Sequence, residues 1–375
     1  MKFTKLSLIA VLAVSGAFAG ESAISGDVKV FYGTDDAGTH DLFDKGGAYG
    51  DAGVSLDYSK KVSKNITLNA GATAISTLGL EGTLVGATWA DHALKDRAWL
   101  DTANLTANFG KTTAVIGRQK LDTPLAFTET WNIVENTFDA FTFVNTNLPK
   151  TTLVGSLVTR ANGGEFTNLQ AGMNDLGDGI YTAGIVTKAI PNTTTQVWYY
   201  DFANHDDKLW AQADVDVAKG ITIGGQYGSV MADEGEDSSF MGLKAAYDAN
   251  KIGAYVAYSQ ADSDGQSNFA NYGGFGGSPA YTEAWWNFGF VTSPDAKTIA
   301  LGASYDMGTA KLGAQFTSVK NDSHPVSGEM DEVTLTADTS VAGADVSLAL
   351  INTSSDDDAL DGNSVQVYLT VPFSL

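Results

Sequence analysis

The sequence predicts an all-β protein, a transmembrane antiparallel β-barrel of about eighteen strands with short periplasmic turns and long extracellular loops. Three observations carry this. From about residue 20 to Leu375 the chain runs in segments of roughly ten residues that alternate apolar with small or polar side chains. The connections between segments are short and long in turn. No later stretch approaches the roughly 20 apolar residues of a spanning helix, and the mean hydropathy of -0.06 fits strands that need an apolar residue only at every second position.

Residues 1–19 read as a secretory signal. Lys2 and Lys5 precede an apolar stretch from Leu6 to Val14, and the small residues that follow end Ala17-Phe18-Ala19, with cleavage expected before Gly20. Residues 20–375 then form a single barrel domain. Removal of the signal leaves 20 basic residues against 44 acidic ones, a net charge of -24 compared with -22 for the whole chain. So acidic a chain is not a nucleic-acid binder. There are no cysteines, so strand pairing and not a disulfide framework must hold the exported fold.

The last segment shows the alternation best. Val365, Val367, Leu369, Val371, Phe373 and Leu375 share one parity, and Ser364, Gln366, Tyr368, Thr370 and Pro372 hold the other. One face suits hydrocarbon and the other water. The chain ends Phe373-Ser374-Leu375 where barrels usually end in an aromatic residue, which puts the efficiency of recognition by the assembly machinery in question.

Tight turns are expected near 60–64, 110–111, 148–150, 189–193, 218–220, 249–250, 306–309 and 340–344. Loops are expected near 33–49, 75–96, 119–136, 161–179, 203–207, 230–238, 261–296, 319–330 and 353–362. Eight turns and nine loops make eighteen strands with both ends in the periplasm. Residues 284–291 could be read as a further strand, but that would break the alternation of long and short connections, so they are placed inside a loop. Asp214 and Asp216 alternate with apolar residues, as does Lys311, and charged groups in that pattern belong to the interior. A barrel this wide leaves an aqueous lumen. A first strand near Ile24 leaves no room for a plug domain.

Two loops are candidates to fold into that lumen. Residues 119–136 are long, mostly uncharged and too apolar for an exposed loop; folding inward competes with capping the rim or covering a subunit contact. Residues 261–296 set Gly265, Gly273, Gly274, Gly276 and Gly277 beside Phe269, Tyr272, Phe275, Tyr281, Trp285 and Trp286. The aromatics pack on the wall or offer a stacking surface to a sugar or aromatic solute. The three arginines, Arg97, Arg118 and Arg160, stand where strands meet outer loops and flank residues 119–136. Facing Asp122 and Glu129 across a constriction they would set a transverse field. On the outside they would pair with loop carboxylates or lipid phosphates. Parity puts Arg160 on the lumen side with Ser156 and leaves Arg97 and Arg118 open.

Gly117-Arg118-Gln119, Leu121-Asp122-Thr123-Pro124-Leu125 and Asn136-Thr137-Phe138 resemble the region after the fifth strand of OprD-type porins. The match spans about twenty residues. It implies an eighteen-stranded outer-membrane channel for small, often carboxylate-bearing nutrients, constricted by this loop and by 261–296. Of the arginines that guide carboxylates in that family, only Arg118 lies in the matching segment.

Acidic runs at Asp233-Glu234-Gly235-Glu236-Asp237, Glu329-Met330-Asp331-Glu332 and Asp356-Asp357-Asp358 with Asp361 are solvated loop segments or bridges through divalent cations to lipopolysaccharide. None has the spacing of a calcium loop. His40, His92, His205 and His324 fall one to a loop, so neither a metal centre nor a cofactor site is expected. The expected function is a bacterial outer-membrane porin passing ions and small hydrophilic solutes, with outer-membrane lipid and lipopolysaccharide as surroundings and a homotrimer as one assembly. The alternative is a surface adhesin or structural barrel whose loops close the pore; an outer-membrane hydrolase is more remote, for no serine or acid motif accompanies the histidines.

Overall fold

The computed structural model describes residues 22–37, 40–86, 96–163, 172–203, 205–265, 269–321, 328–357 and 360–375. The expected signal segment, His92 and His324 lie outside them. In chain order the strands are β1 (Ser22–Asp35), β2 (Ala48–Lys61), β3 (Ile66–Ser76), β4 (Arg97–Phe109), β5 (Thr112–Gln119), four two-residue strands β6 (Asp122–Thr123), β7 (Ala126–Phe127), β8 (Thr130–Trp131) and β9 (Val134–Glu135), then β10 (Phe138–Asn145), β11 (Thr151–Ala161), β12 (Asn174–Thr187), β13 (Thr193–Phe202), β14 (Asp207–Ala218), β15 (Ile221–Met231), β16 (Ser238–Ala249), β17 (Ile252–Ala261), β18 (Lys297–Asp306), β19 (Ala310–Asn321), β20 (Gly328–Val341), β21 (Ala344–Ser355) and β22 (Gly362–Ser374). Setting aside β6 to β9, eighteen strands form one antiparallel sheet.

Each wall strand pairs with its neighbour in sequence. The sheet closes where β1 meets β22, from Ser25 opposite Ser374 to Asp35 opposite Ser364. Closure satisfies the edge N–H and C=O groups that hydrocarbon could not solvate. The tight connections are short because residues that tolerate a left-handed backbone sit in them, such as Gly110 (φ 65°) between β4 and β5 and Asn192 (φ 58°) before β13. Residues 284–291 contain no strand; among the described residues between β17 and β18, the one regular element is a 3-10 turn, Phe290–Thr292.

The alternation read from the sequence separates two faces. Outward positions form an apolar belt, with Leu105, Ile116, Phe143, Leu243 and Leu335 all more than 40% exposed in the bare chain. Lipid would cover that belt. Inward positions carry polar chains bonded along the wall, as in Asn69 Nδ2 to Asn104 Oδ1 (2.8 Å) and Gln226 Nε2 to Gln212 Oε1 (3.0 Å). Where inward chains are large and apolar, the loops cover them. Trp198, Tyr200, Trp210 and Phe240 are fully buried in one cluster with Leu121, Leu125 and Phe269.

Candidate functional site

The site is built where residues 120–137 and 269–296 pack inside the wall. The first segment folds as two minimal hairpins, β6 on β7 and β8 on β9. It is anchored to the wall from its own backbone: Leu125 N donates to Tyr200 Oη (3.1 Å). A second cluster sets Ile133 and Val134 against Phe31, Tyr49, Ile75 and Trp99.

The second segment is held by inward polar side chains. Glu332 accepts from the backbone N–H groups of Trp285 (2.7 Å), Trp286 (3.1 Å) and Asn287 (2.8 Å). Gln226 accepts from Tyr281 N (3.0 Å) and donates to Pro279 O (2.8 Å), and Gln315 Nε2 donates to Glu283 O (2.7 Å). A loop without regular ladders needs partners for its main chain, and the wall supplies them.

Glu129 joins the two segments. Its carboxylate is 5% exposed and accepts from Phe275 N (2.6 Å), Gly277 N (2.7 Å) and Asn271 Nδ2 (2.6 Å). Asn271 also bonds Phe127 through both its oxygen and its nitrogen, and Tyr272 N donates to Leu125 O. Burial raises the Glu129 carboxyl above the ordinary carboxylate range, against the pull of these donors. On the exposed side of the seam, Trp131 stacks on Trp286 with centroids 5.0 Å apart, and Phe288 meets it edge-on at 5.2 Å.

Charges facing the lumen cluster on two sides. Lys120 pairs with Glu135 beside Asp57 and Asp101, and Asp27 pairs with Lys29 (3.5 Å) on β1. On the other side Asp214 takes Tyr281 Oη (2.9 Å), Gln212 Nε2 (2.6 Å) and Lys244 Nζ (3.4 Å), with the Lys244 ammonium 3.8 Å above the Tyr281 ring. Asp216 lies deeper, bonded by Thr222 Oγ1 (2.8 Å). Lys311 shares the inward parity of Gln315 and Thr317 near the periplasmic end of β19. Arg97 is at the mouth, opposite the inward Ile75.

The other two arginines are elsewhere. Arg118 shares the parity of the exposed Ile116, and it faces outward with Asp139, the residue opposite it. Arg160 is a correction to the parity reading. A β-bulge between β10 and β11 shifts the register, so that Ala140 faces Val158 and Asp139 faces Arg160. The inserted Thr159 reverses the phase set by Ser156 and carries Arg160 to the outer surface, where its Nη2 lies 2.6 Å from Asp139 Oδ2. No arginine therefore opposes Asp122 or Glu129 across a constriction. Asp122 is half-buried in the small β6–β7 hairpin, where burial pushes its carboxyl up to about 6.

Sequence reasoning missed Glu283. Its carboxyl is buried and takes Ser278 N (2.7 Å), Ser278 Oγ and Gly289 N (3.1 Å); burial pushes it up to about 8. A released loop would hold the proton only to the ordinary value of 4.5. Below that pH both arrangements are protonated. Between 4.5 and about 8 only the packed one retains the proton, so packing weakens as pH rises through this window and is constant above it. Limited proteolysis of residues 262–296 should therefore be faster at pH 8.5 than at pH 5, and Glu283→Gln should flatten that dependence. Equal rates at both pH values in the unsubstituted protein would contradict a neutral Glu283.

Neither a family model nor a curated protein sequence matches the chain. Solved structures do. OccK8 (OprE) of Pseudomonas aeruginosa superimposes with a TM-score of 0.77 over 95% of this chain and 98% of its own, at 13% identity. The chain has the fold of the Occ porins. OpdK of Pseudomonas aeruginosa, solved with vanillate, gives 0.77 over 95% and 99% at 15% identity, and OccAB3 of Acinetobacter baumannii gives 0.78 over 95% and 100% at 12%. On this Occ-type barrel, the segment that resembles OprD-type porins in sequence is the one that runs inside the wall after β5.

Proposed function

We propose that this chain is a porin of the Gram-negative outer membrane, passing ions and small hydrophilic solutes down their gradients. The observation that carries the reading is a closed eighteen-stranded wall whose inward face is largely polar and charged and inside which two loops pack to narrow the lumen. Asp122 and Glu129 shape the narrowing, as a half-buried acid and as the bond between the loops. Arg97, Asp214, Asp216 and Lys311 contribute to the field along the path. We read the chain as a channel and not as an enzyme because its wall has the fold of porins.

The charges at the narrowing favour cations. Asp27, Asp57, Asp101 and Glu135 stand against Lys29 and Lys120 on one side, and low-dielectric walls focus that excess on the path. OpdK was solved with vanillate, a carboxylate. Carboxylate-bearing nutrients remain within the reading here, carried past lysines instead of arginines and slower than cationic solutes of the same size. In a planar bilayer, a potassium chloride gradient should give discrete ohmic steps and a reversal potential showing several-fold preference for potassium. Asp57→Asn with Asp101→Asn should lower that preference. Folded protein that shows no steps would transfer the weight to an adhesin or structural barrel with a closed pore.

Outer-leaflet lipid, lipopolysaccharide included, is the proposed partner of the exposed apolar belt. A homotrimer would bury part of that belt, and light scattering of the detergent complex distinguishes it from a monomer.

A further inference from the structure

The outer wall has a groove that pore function does not use. It encloses about 470 Å³, and its lower part is apolar, lined by Ile116, Phe141 and Leu157, with Leu100 beside the charged end. Its upper end is closed by Arg118, Asp139 and Arg160. Arg118 Nε bonds Asp139 Oδ1 (2.9 Å), its Nη1 donates to Leu100 O (2.7 Å), and its side chain is 18% exposed. Arg160 reaches the same carboxylate with its side chain 51% exposed. Two guanidinium groups share one carboxylate, so the trio carries a net positive charge. Asp175, opposite Arg160 on β12, accepts from Gly177 N (3.0 Å) within its own strand.

The height of the trio matters. Strands β5 and β10 rise eight residues each from their periplasmic turns. Arg118 and Asp139 are each the seventh residue up, and at about 3.3 Å per residue and a tilt of about 40° this sets them roughly 15 Å up a belt about 25 Å tall. A charged group there is costly against acyl chains unless it meets a headgroup. An apolar groove running down from a cationic end fits one kind of ligand, an acyl chain below and a phosphate above.

We infer that the groove of β4, β5, β10 and β11 is a docking site for a phosphorylated, acylated lipid of the outer leaflet, its phosphate on Arg160 and Arg118 and one chain along Ile116, Phe141 and Leu157. This rests on the outer-membrane reading, which sets these strands against lipid. It goes further in giving one place on the wall a lipid of defined chemistry. The bulge that turns Arg160 outward is then what completes the site.

The test is native mass spectrometry of the full detergent-solubilised protein with bis-phosphorylated lipid A and with the same lipid dephosphorylated. The phosphorylated form should bind about tenfold more tightly, and Arg160→Gln should remove about tenfold of that affinity, the scale of a charge-assisted contact. Asp139→Asn, which releases both guanidinium groups, should strengthen binding. Heat-modifiable migration on gels confirms that each variant is folded. Equal binding of the two lipids, or an unchanged affinity in folded Arg160→Gln, would overturn the site. Conductance is recorded on the same preparations: a variant that loses lipid selection while conducting normally supports the site as separate from the pore, and a protein that selects phosphorylated lipid but never conducts overturns the porin reading and leaves the site standing.

Discussion

Deleting residues 122–133 should raise single-channel conductance several-fold while leaving the wall intact. The deleted segment contains β6, β7 and β8, leaves β9 without its partner, and includes no part of a wall strand. Strands β5 and β10 pair directly with each other from Asn145 opposite Thr112 to Phe138 opposite Gln119, so their register does not depend on the loop between them. What is lost is volume in the lumen and the surface on which residues 269–296 rest. The uncovered wall residues, Trp198 and Tyr200 among them, would meet water. The melting transition should therefore fall modestly even as the channel widens, because hydrophobic cover is removed from one side. Unchanged conductance from correctly folded protein would show that the segment does not limit the path.

Glu129→Ala should act more sharply than its single-residue scale suggests. Alanine leaves Phe275 N and Gly277 N without their acceptor in a buried seam, at a cost of about 2–4 kcal/mol to the association of the two segments. The loops have few other bonds to each other, chiefly through Asn271 and Asn136. Current records should become noisy, with sublevels of higher conductance, as residues 269–296 leave and rejoin the seam. Glu129→Gln is the informative companion. It keeps an acceptor oxygen, and because burial already favours the neutral form it should retain quieter channels than alanine does. Noise that is equal in both variants would mean that shape and not hydrogen bonding holds the seam.

The wall was legible in the sequence because its rule is local. Every second residue must suit hydrocarbon, turns need residues such as Gly110 and Asn192, and long connections alternate with short ones. Those requirements put all eight turns and the eighteen strands in place, with 284–291 outside them. The same rule failed at Arg160, and for a physical reason. A period of two carries no information across an inserted residue, and the bulge at Thr159 is invisible unless the partner strand is known. Glu129 failed differently. Its partners are Asn271, Phe275 and Gly277, more than 140 residues away, so its acceptor role lies in a contact that no local spacing records. Asp214 was placed inward by its neighbours alone, but its companions Tyr281 and Lys244 come from other segments. Glu283 gave no signal at all, as a single acid among aromatics.

The seam between β1 and β22 bears on how the barrel comes into being. Every other wall pairing joins strands that follow one another along the chain and can form as a hairpin. The seam alone brings together positions as far apart as Asp35 and Ser364, and closing a loop of that length costs about 5 kcal/mol in chain entropy before any seam bond repays it. The cost falls on one late event instead of being spread over the sheet. A sheet of seventeen completed hairpin pairings still has two raw edges, with β1 and β22 each presenting a row of unpaired amides to any extended chain nearby. The structure thus implies a brief, adhesive, open-edged precursor, and the assembly of this protein turns on how quickly its own last strand reaches its first before a stranger's does.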